Sequence, residues 1–185
     1  IAPTQVIILP VLRQNQDNTP ILESCDELKQ ELSAKGLRVR VDSRDMRTPD
    51  KMWEAIKQGI PLRVEIGANE LADGTLTHVR RDIGKDSKTG QSRADFVEQA
   101  PDLLAQIHSD MLTRARNFRD SMITPVRTVE EMKSYYEQGG DGLVRGPRSF
   151  LEDGAFDEIA ENYSLTPRCI PFDGEGDDVL IGRSY

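Results

Sequence analysis

The segment from Gly59 to Gly67 constrains the fold of this chain more than any other stretch. Between Leu62 and Ile66 every second residue is apolar, and the positions between them hold the charged residues Arg63 and Glu65. This period of two predicts a strand with one apolar and one charged face. Glycine and proline before the strand close a helical pattern, and the glycine after it ends the strand.

A second extended run, Thr75–Arg80, follows a turn signal and predicts a neighbouring strand. Sheet geometry would then hold Arg63, Glu65, Arg80 and Arg81 close to a loop. A guanidinium and a carboxylate can each make two parallel hydrogen bonds, so such a set suits a planar polar ligand. From the charges alone, the simpler interpretation is a strand with solvated charges on its open face.

The first 123 residues predict strands and helices in alternation. Threonine–proline pairs indicate two helix starts, and a longer helix begins near Ala94 or Pro101. In the second helix, Met52 and Ile56 form an apolar stripe with Trp53 at its edge. The order β-α-β-α-β-β-α predicts an α/β domain with a mixed sheet. The segments are 5–11, 19–36, 37–42, 48–59, 62–67, 75–80 and 94–123, with a polar loop at 85–93.

Residues 124–185 predict a second, smaller unit of α+β type. Thr128 and Glu131 form the capping-box pattern of a helix start, and this helix runs to Gly139-Gly140. A short strand, a mostly helical stretch with an acidic outer face and two strand-like runs follow. These segments are 142–146, 149–165, 168–172 and 179–185.

The charge of the chain is acidic overall but unevenly placed. Its 32 acidic and 24 basic side chains give a net charge of −8, which argues against indiscriminate nucleic-acid binding. Residues 35–51, however, hold six bases against three acids, and residues 78–93 hold five against two. Residues 150–185 hold nine acids against two bases. This distribution permits a local RNA site on the body of the chain.

No catalytic constellation is visible in the sequence. His78 and His108 are far apart, with no serine or cysteine signature near either. Cys25 lies on the apolar face of a helical pattern and is expected to be a small core residue, and Cys169 is the only other cysteine. No apolar run approaches the length that spans a bilayer. The start at Ile1, without signal-peptide architecture, predicts a piece of a longer polypeptide.

The residues from Gly59 through Gly67, followed by Val79–Gly84, resemble the anticodon-binding domain of prolyl-tRNA synthetases. The family pattern is close to G-V-P-L-R-I-E-I-G-P-R-D-L, and V-R-R-D-T-G follows after a gap. The match has no gap up to Gly67 and then departs, because Ala68-Asn69-Glu70 stands where the family has Pro-Arg-Asp. The resemblance covers roughly residues 2–123 and implies the class II synthetase anticodon-binding fold.

In this family, side chains from the central strands recognise the two guanines of the proline anticodon. The resemblance implies that Glu65 accepts hydrogen bonds from a guanine, as a carboxylate can. The family's arginine falls on Asn69, and its loop lysine matches Lys85 or, with a small gap, Lys88. Neighbouring arginines are candidates for the lost arginine contact. The expected RNA-binding residues are therefore Arg63, Glu65, Asn69, Arg80, Arg81, Lys85 and Lys88.

The second unit resembles the C-terminal domain of the archaeal and eukaryotic-like prolyl-tRNA synthetases. The residues that carry this resemblance are Arg168–Phe172 and Gly182–Tyr185. Much of the family binds zinc there on four cysteines, whereas Gly142–Pro147 and Asp173–Asp178 contain none. A structural zinc site needs about four ligands, so we expect a degenerate domain without metal over 124–185, after an anticodon-binding domain over 1–123.

The resemblance implies recognition of tRNA(Pro) as part of an enzyme that ligates proline to this tRNA with ATP. The class II catalytic motifs are absent, so this stretch alone is expected to be inactive and to hold no cofactor. The full enzyme would use ATP and magnesium, form a homodimer and work in the cytoplasm, away from membranes. The catalytic domain of the same chain and tRNA(Pro) are the expected partners.

Two other functions are alternatives to this one. The first is a non-catalytic accessory protein that reuses the fold, and the retained Gly182–Tyr185 end speaks against it. The second is a small-molecule enzyme of flavodoxin-like type, which needs a phosphate-binding loop after the first strand. The loop Leu12–Asn18 has no glycine and no hydroxyl side chain, so it lacks the small residues that let backbone N–H groups approach a phosphate.

Overall fold

The computed structural model describes residues 2–171 and 176–184. The chain divides into two compact units, Ile1–Leu112 and Thr113–Tyr185. The sequence placed a domain boundary between residues 123 and 124, where a long helical pattern ends. The assignment of 1–123 and 124–185 to two domains stays a prediction.

The first unit contains the mixed sheet that the sequence predicts. Its five strands lie in the order β2-β1-β3-β4-β5. β1 pairs in parallel with β2 and β3, whereas β3–β4 and β4–β5 are antiparallel. The strands are β1 (Val6–Pro10), β2 (Val39–Val41), β3 (Leu62–Ile66), β4 (Thr75–Arg80) and β5 (Thr89–Ser92).

The two faces of this sheet pack against different helices. The helices are α1 (Thr19–Ala34), α2 (Thr48–Lys57), α3 (Ala68–Asp73) and α4 (Arg93–Ser121), with a 3-10 turn at Gly84–Ser87. Val6, Ile8 and the apolar residues of β3 join α1 and α4 in the larger core. Ile7 and Leu9 face the other way and pack with Ala55 of α2. β1 is therefore buried on both faces, as its continuous apolar sequence predicts.

Two elements of this unit were not predicted. A short helix, α3, replaces the simple turn expected between β3 and β4, and the Glu70 carboxylate accepts from the Gly67 backbone N–H at its start. Gly74 ends α3 in the left-handed conformation, with φ 63°. β5 lies inside the expected polar loop, because its backbone pairs with β4 even though its residues have no apolar period.

The buried face of α2 differs from the predicted stripe. In α2, Lys51 and Ala55 are buried, whereas Trp53 is 63% exposed. Lys51 tolerates burial because its ammonium group donates to the backbone oxygen of Asp42 at 3.1 Å. Cys25 of α1 is a core residue as predicted, and burial raises the pKa of its thiol to about 12.

The second unit is a four-stranded sheet with two helices. The strand order is β6-β7-β9-β8, and β6 was not predicted. Thr128 caps α5 as predicted, because its Oγ1 accepts from the Glu131 backbone N–H at 3.2 Å. The elements are β6 (Ile123–Pro125), α5 (Val129–Glu137), β7 (Leu143–Pro147), a 3-10 turn (Arg148–Glu152), α6 (Gly154–Tyr163), β8 (Leu165–Cys169) and β9 (Asp178–Arg183).

The predicted zinc-free character of this unit is not decided by its geometry. Within 2–171 and 176–184, the structure groups no three histidine, cysteine or acidic side chains as a metal would require. Phe172 and Tyr185, which help to carry the C-terminal resemblance, and the first half of Asp173–Asp178 lie outside the described residues. The absence of zinc stays a prediction, which metal analysis of protein purified without chelator would check.

Candidate nucleic-acid interface

A groove of about 360 Å³ separates α2 from the end of β4 in the first unit. One wall comes from α2 and includes the apolar residues Met52 and Ile56, which are half-buried, and Trp53, which is exposed. The other wall includes Arg63 of β3 and, at the end of β4 and just after it, Arg80, Arg81, Gly84 and Lys85. We call this feature the α2–β4 groove. Among the described residues, no acidic side chain lines it, so it suits an electron-rich or anionic ligand.

Arg63 and Glu65 are held together on one face of β3. The Arg63 Nε donates to Glu65 Oε1 at 3.1 Å, and the two side chains are 12% and 13% exposed. Lys88 lies 3.5 Å from the second carboxylate oxygen and is itself 60% exposed. A carboxylate has about four lone-pair sites, so these two donors leave Glu65 with acceptor capacity.

Arg80 has a different environment from Arg63. Its guanidinium donates to both carboxylate oxygens of Asp82, at 3.1 and 2.9 Å, and to Asp110 of α4 at 2.5 Å. The hydrogen bond with Asp82 raises the pKa of Arg80. Arg80 lies opposite Leu62 in the β3–β4 pairing, so its side chain shares the core face with Leu62 and not the face of Arg63. Its predicted contact with RNA stays a prediction that this geometry does not favour.

Arg81 and Lys85 stand at the open end of the groove. The Arg81 Nε donates to the Ile56 backbone oxygen at 3.1 Å, which ties the end of β4 to α2. Lys85 is exposed on the 3-10 turn that follows β4. Both residues line the groove, as Arg63 does. The structure therefore brings together three of the predicted cations at one surface.

Asn69 lies apart from this set. It is exposed in the first turn of α3, beyond the carboxyl end of β3, and it does not line the groove. The arginine that the family carries at this position is thus replaced by a shorter, neutral and solvent-facing group. Its role in RNA binding stays a prediction.

The sequence interpretation missed Trp53 as a site residue. It placed this tryptophan at the edge of a buried stripe, whereas the structure exposes 63% of it on the wall of the α2–β4 groove. The hydrophobic pattern of α2 does not predict this exposure, because the residue that α2 buries instead of Trp53 is a lysine, Lys51. The composition of α2 therefore points to the wrong face.

Comparison with known proteins agrees with this architecture. The family model described as "Anticodon binding domain" matches residues 5–102, which is more than half of the chain. Proline–tRNA ligase of Bdellovibrio bacteriovorus is 32% identical over 194 residues, covering 99% of this chain and 38% of the relative. Proline–tRNA ligase of Akkermansia muciniphila is 34% identical over 196 residues, covering 99% and 38%. The chain thus spans about two fifths of the length of these curated relatives.

A solved structure shows the same fold. Prolyl-tRNA synthetase from Cryptosporidium parvum, in complex with L-proline and AMP, superposes with a TM-score of 0.83. It is 24% identical in sequence, and the alignment covers 99% of this chain and 41% of that chain. The predicted α/β fold with a mixed sheet is confirmed. The chain belongs to the anticodon-binding domain family, as the resemblance of residues 59–84 indicated.

Proposed function

We propose that this chain is the anticodon-recognising part of a prolyl-tRNA synthetase, the enzyme that ligates proline to tRNA(Pro). Curated relatives named proline–tRNA ligase align with 99% of its length. In this proposal, ATP and magnesium act in the catalytic domain of the longer protein. The chain alone should show no proline-dependent ATP–pyrophosphate exchange above a buffer blank, and measurable exchange would contradict the assignment.

The position of Glu65 carries the proposal. A guanine presents two neighbouring N–H donors on its Watson–Crick edge, and a carboxylate is the side chain that accepts from both. Arg63 fixes one carboxylate oxygen of Glu65 at 3.1 Å, which orients the group before a ligand arrives. The proposed role of Glu65 is therefore to accept from one guanine of the anticodon.

Lys88 regulates access to Glu65 in this proposal. Its ammonium group approaches the carboxylate only at 3.5 Å, and 60% of the side chain is exposed. Such a contact contributes little to stability, so an incoming base can displace it at low cost. The freed ammonium can then donate to a guanine O6 or N7. Lys85, on the groove wall, is the alternative donor.

The proposed partners follow from this role. The main partner is tRNA(Pro), bound through its anticodon loop, and the catalytic domain of the same polypeptide is the second. A homodimer of the full enzyme and a cytoplasmic location complete the proposal. Of the helices that the structure describes, none combines the length and apolar character that a bilayer crossing requires.

The test compares Glu65→Gln with a matched surface change, Glu98→Gln. Glu98 also accepts from a lysine, Lys35 at 2.8 Å, but lies elsewhere in the unit and is 72% exposed. Binding of anticodon stem-loops is measured with each guanine replaced in turn. Glu65→Gln should lose roughly 1–3 kcal/mol of discrimination at one anticodon position, and Glu98→Gln should lose none.

Three outcomes would count against the proposal. If Glu65→Gln prefers the guanines by the wild-type margin, Glu65 is a structural residue and base recognition moves to Arg81 and the two lysines. If the wild-type chain binds RNA with no preference for the guanines, the accessory-protein alternative fits better. A loss that is equal for all RNAs, with a flatter salt dependence, would instead indicate that the change disturbs a phosphate contact of the neighbouring Arg63 or Lys88.

A further inference from the structure

Trp53 is a large aromatic residue that packs in neither hydrophobic core of the first unit. It is 63% exposed and belongs to none of the buried clusters there, whereas Ala55, two residues along the same helix, is 3% exposed. Leaving an indole in water forfeits much of the free energy that its burial would provide. An exposed tryptophan on the wall of a groove therefore suggests a ligand that covers it.

The chemistry of the α2–β4 groove restricts that ligand. Met52, Trp53 and Ile56 make one wall apolar, while Arg63, Arg81 and Lys85 make the facing wall cationic. A cationic groove with an aromatic platform is the arrangement that single-stranded nucleic acids bind. Its volume of about 360 Å³ lies at the lower end of the 300–1,000 Å³ typical of small-ligand sites, so it suits one planar group rather than a protein segment.

The cations of this groove are available for binding to different degrees. Within the described residues, the Arg81 guanidinium has no carboxylate partner and donates from Nε to the Ile56 backbone oxygen. Arg63 uses its Nε on Glu65 and has no further described hydrogen bond. The guanidinium of Arg80, by contrast, is engaged by Asp82 and Asp110. Arg81 and Arg63 thus keep donors for the edge of a base or for a phosphate.

We propose that Trp53 is a stacking platform for one unstacked nucleobase of the anticodon loop, bound in the α2–β4 groove. The base lies against the indole, and Arg81 and Lys85 donate to its edge or to its phosphate. Stacking is tolerant of base identity because every base has a π-face. Trp53 therefore supplies affinity, whereas Glu65 supplies discrimination. This inference rests on the proposed function.

The chain contains a single tryptophan, so indole emission reports on Trp53 in the α2–β4 groove alone. An RNA stem-loop with a guanine–guanine anticodon is titrated into the chain while indole emission is followed. We expect saturable quenching, because a base stacked on the indole deactivates its excited state. The same titration on a Lys35→Met variant, changed at a distant exposed ion pair, should give the same quenching.

Affinity is measured in parallel by anisotropy of a labelled stem-loop. Trp53→Ala should lose about 5- to 150-fold in affinity, the range for removal of one stacking contact, and Trp53→Phe should retain most of the binding. Phe118→Ala is the matched control, because Phe118 is 69% exposed on α4 and does not line the groove. It should bind as the wild type does. Circular dichroism confirms that the variants fold.

A series of stem-loops with one abasic position each locates the stacked base. At that position, the abasic RNA should weaken the wild type but weaken Trp53→Ala no further. If saturating RNA leaves the emission unchanged and Trp53→Ala binds like the wild type, this inference is overturned. The guanine preference of the same chain then decides separately whether the proposed function stands. No saturable binding by the wild type would overturn both.

Discussion

Arg63 and Arg80 occupy neighbouring strands, and each is followed two residues later by an acid, Glu65 and Asp82. The two pairs look alike in sequence and have nearly the same arginine exposure, 12% and 13%. Their positions in the sheet differ, because Arg80 is opposite Leu62 and Arg63 is opposite Val79. Neighbouring residues of a strand point to opposite faces. One arginine therefore faces the core side and the other faces the groove.

The difference lies in how many donors each arginine has left. Arg80 makes three hydrogen bonds to two carboxylates, and one of them, on Asp82, is only 2% exposed. Arg63 makes one described hydrogen bond, to Glu65. A charged group near the core needs an ion-pair or hydrogen-bond partner for each of its polar atoms. A charged group at a binding surface needs donors that are still unused, because those donors bind the ligand. Burial alone would have assigned both arginines the same role.

The largest effect is expected from Arg80→Ala. The change removes the two hydrogen bonds that Arg80 donates to the buried Asp82, and weakening the partners of a charge near the core is costly. Because Asp110 is 37% exposed and can turn to water, we expect a loss of about 2–4 kcal/mol in the free energy of unfolding. Urea denaturation of the chain measures it. A loss below that of Arg63→Ala would mean that the Arg80 network is not structural.

His78 lies two residues before Arg80 on the same side of β4 and adds a pH dependence to the core face. It is 5% exposed, packs against Phe96 with ring centroids 5.3 Å apart, and its Nδ1 has no described partner. Burial lowers its pKa. The unfolded chain therefore takes up the proton first as the pH falls through about 6.5.

Stability should accordingly be full above about pH 6.5 and decline as the pH falls toward the lower folded pKa of His78. The slope cannot exceed about 1.4 kcal/mol per pH unit for one proton. Urea unfolding at several values between pH 7.5 and 5.5 measures it, with His78→Leu as the control that removes this component. Parallel curves for the wild type and the variant would show that His78 does not contribute.

Arg63→Ala should be milder for folding than Arg80→Ala. It removes a single ion pair, and Glu65 can turn toward Lys88 or water, so we expect a loss of about 0.5–1.5 kcal/mol. Binding of the anticodon stem-loop should fall as well, because Glu65 loses the group that orients it. The two readouts separate the roles: a change in stability without a change in RNA affinity would place Arg63 with Arg80 as a structural residue.

The sequence predicted the strands of this comparison but not the faces of their side chains. Alternation from Leu62 to Ile66 is unambiguous, and β3 follows it. In β4, Leu76 and Val79 are both buried although they lie on opposite faces, so the pattern does not say which face Arg80 takes. The pairing register could not be derived either, because α3 intervenes where a short turn was expected.

In the candidate site, too, the sequence predicted some of the residues and not others. Arg63 and Glu65 were found in the gapless part of the resemblance, and the loop lysines were matched beyond its gap. The structure places Lys88 3.5 Å from Glu65 and Lys85 with Arg63 on the wall of the α2–β4 groove. Trp53 was not found, because the exposed side of α2 depends on the burial of Lys51 beneath it. That burial requires a backbone oxygen 3.1 Å away, on Asp42. A hydrogen bond between a side chain and the backbone of another segment produces no periodic pattern in the sequence, so it cannot be predicted from one.

The smallest effect on folding is expected from Glu65→Gln, in contrast to Asp82→Asn. Both changes keep the shape of the side chain and remove its charge. Asp82 is 2% exposed and bound by a two-point contact to Arg80, so its neutralisation should lower the free energy of unfolding by about 1–3 kcal/mol. Glu65 has one contact at 3.1 Å and one at 3.5 Å, and a glutamine oxygen can still accept from Arg63. We therefore expect less than about 0.5 kcal/mol for Glu65→Gln. Equal losses in a side-by-side urea denaturation would show that Glu65 serves the fold as Asp82 does, and the contrast between a structural pair and a recognition pair would then fail.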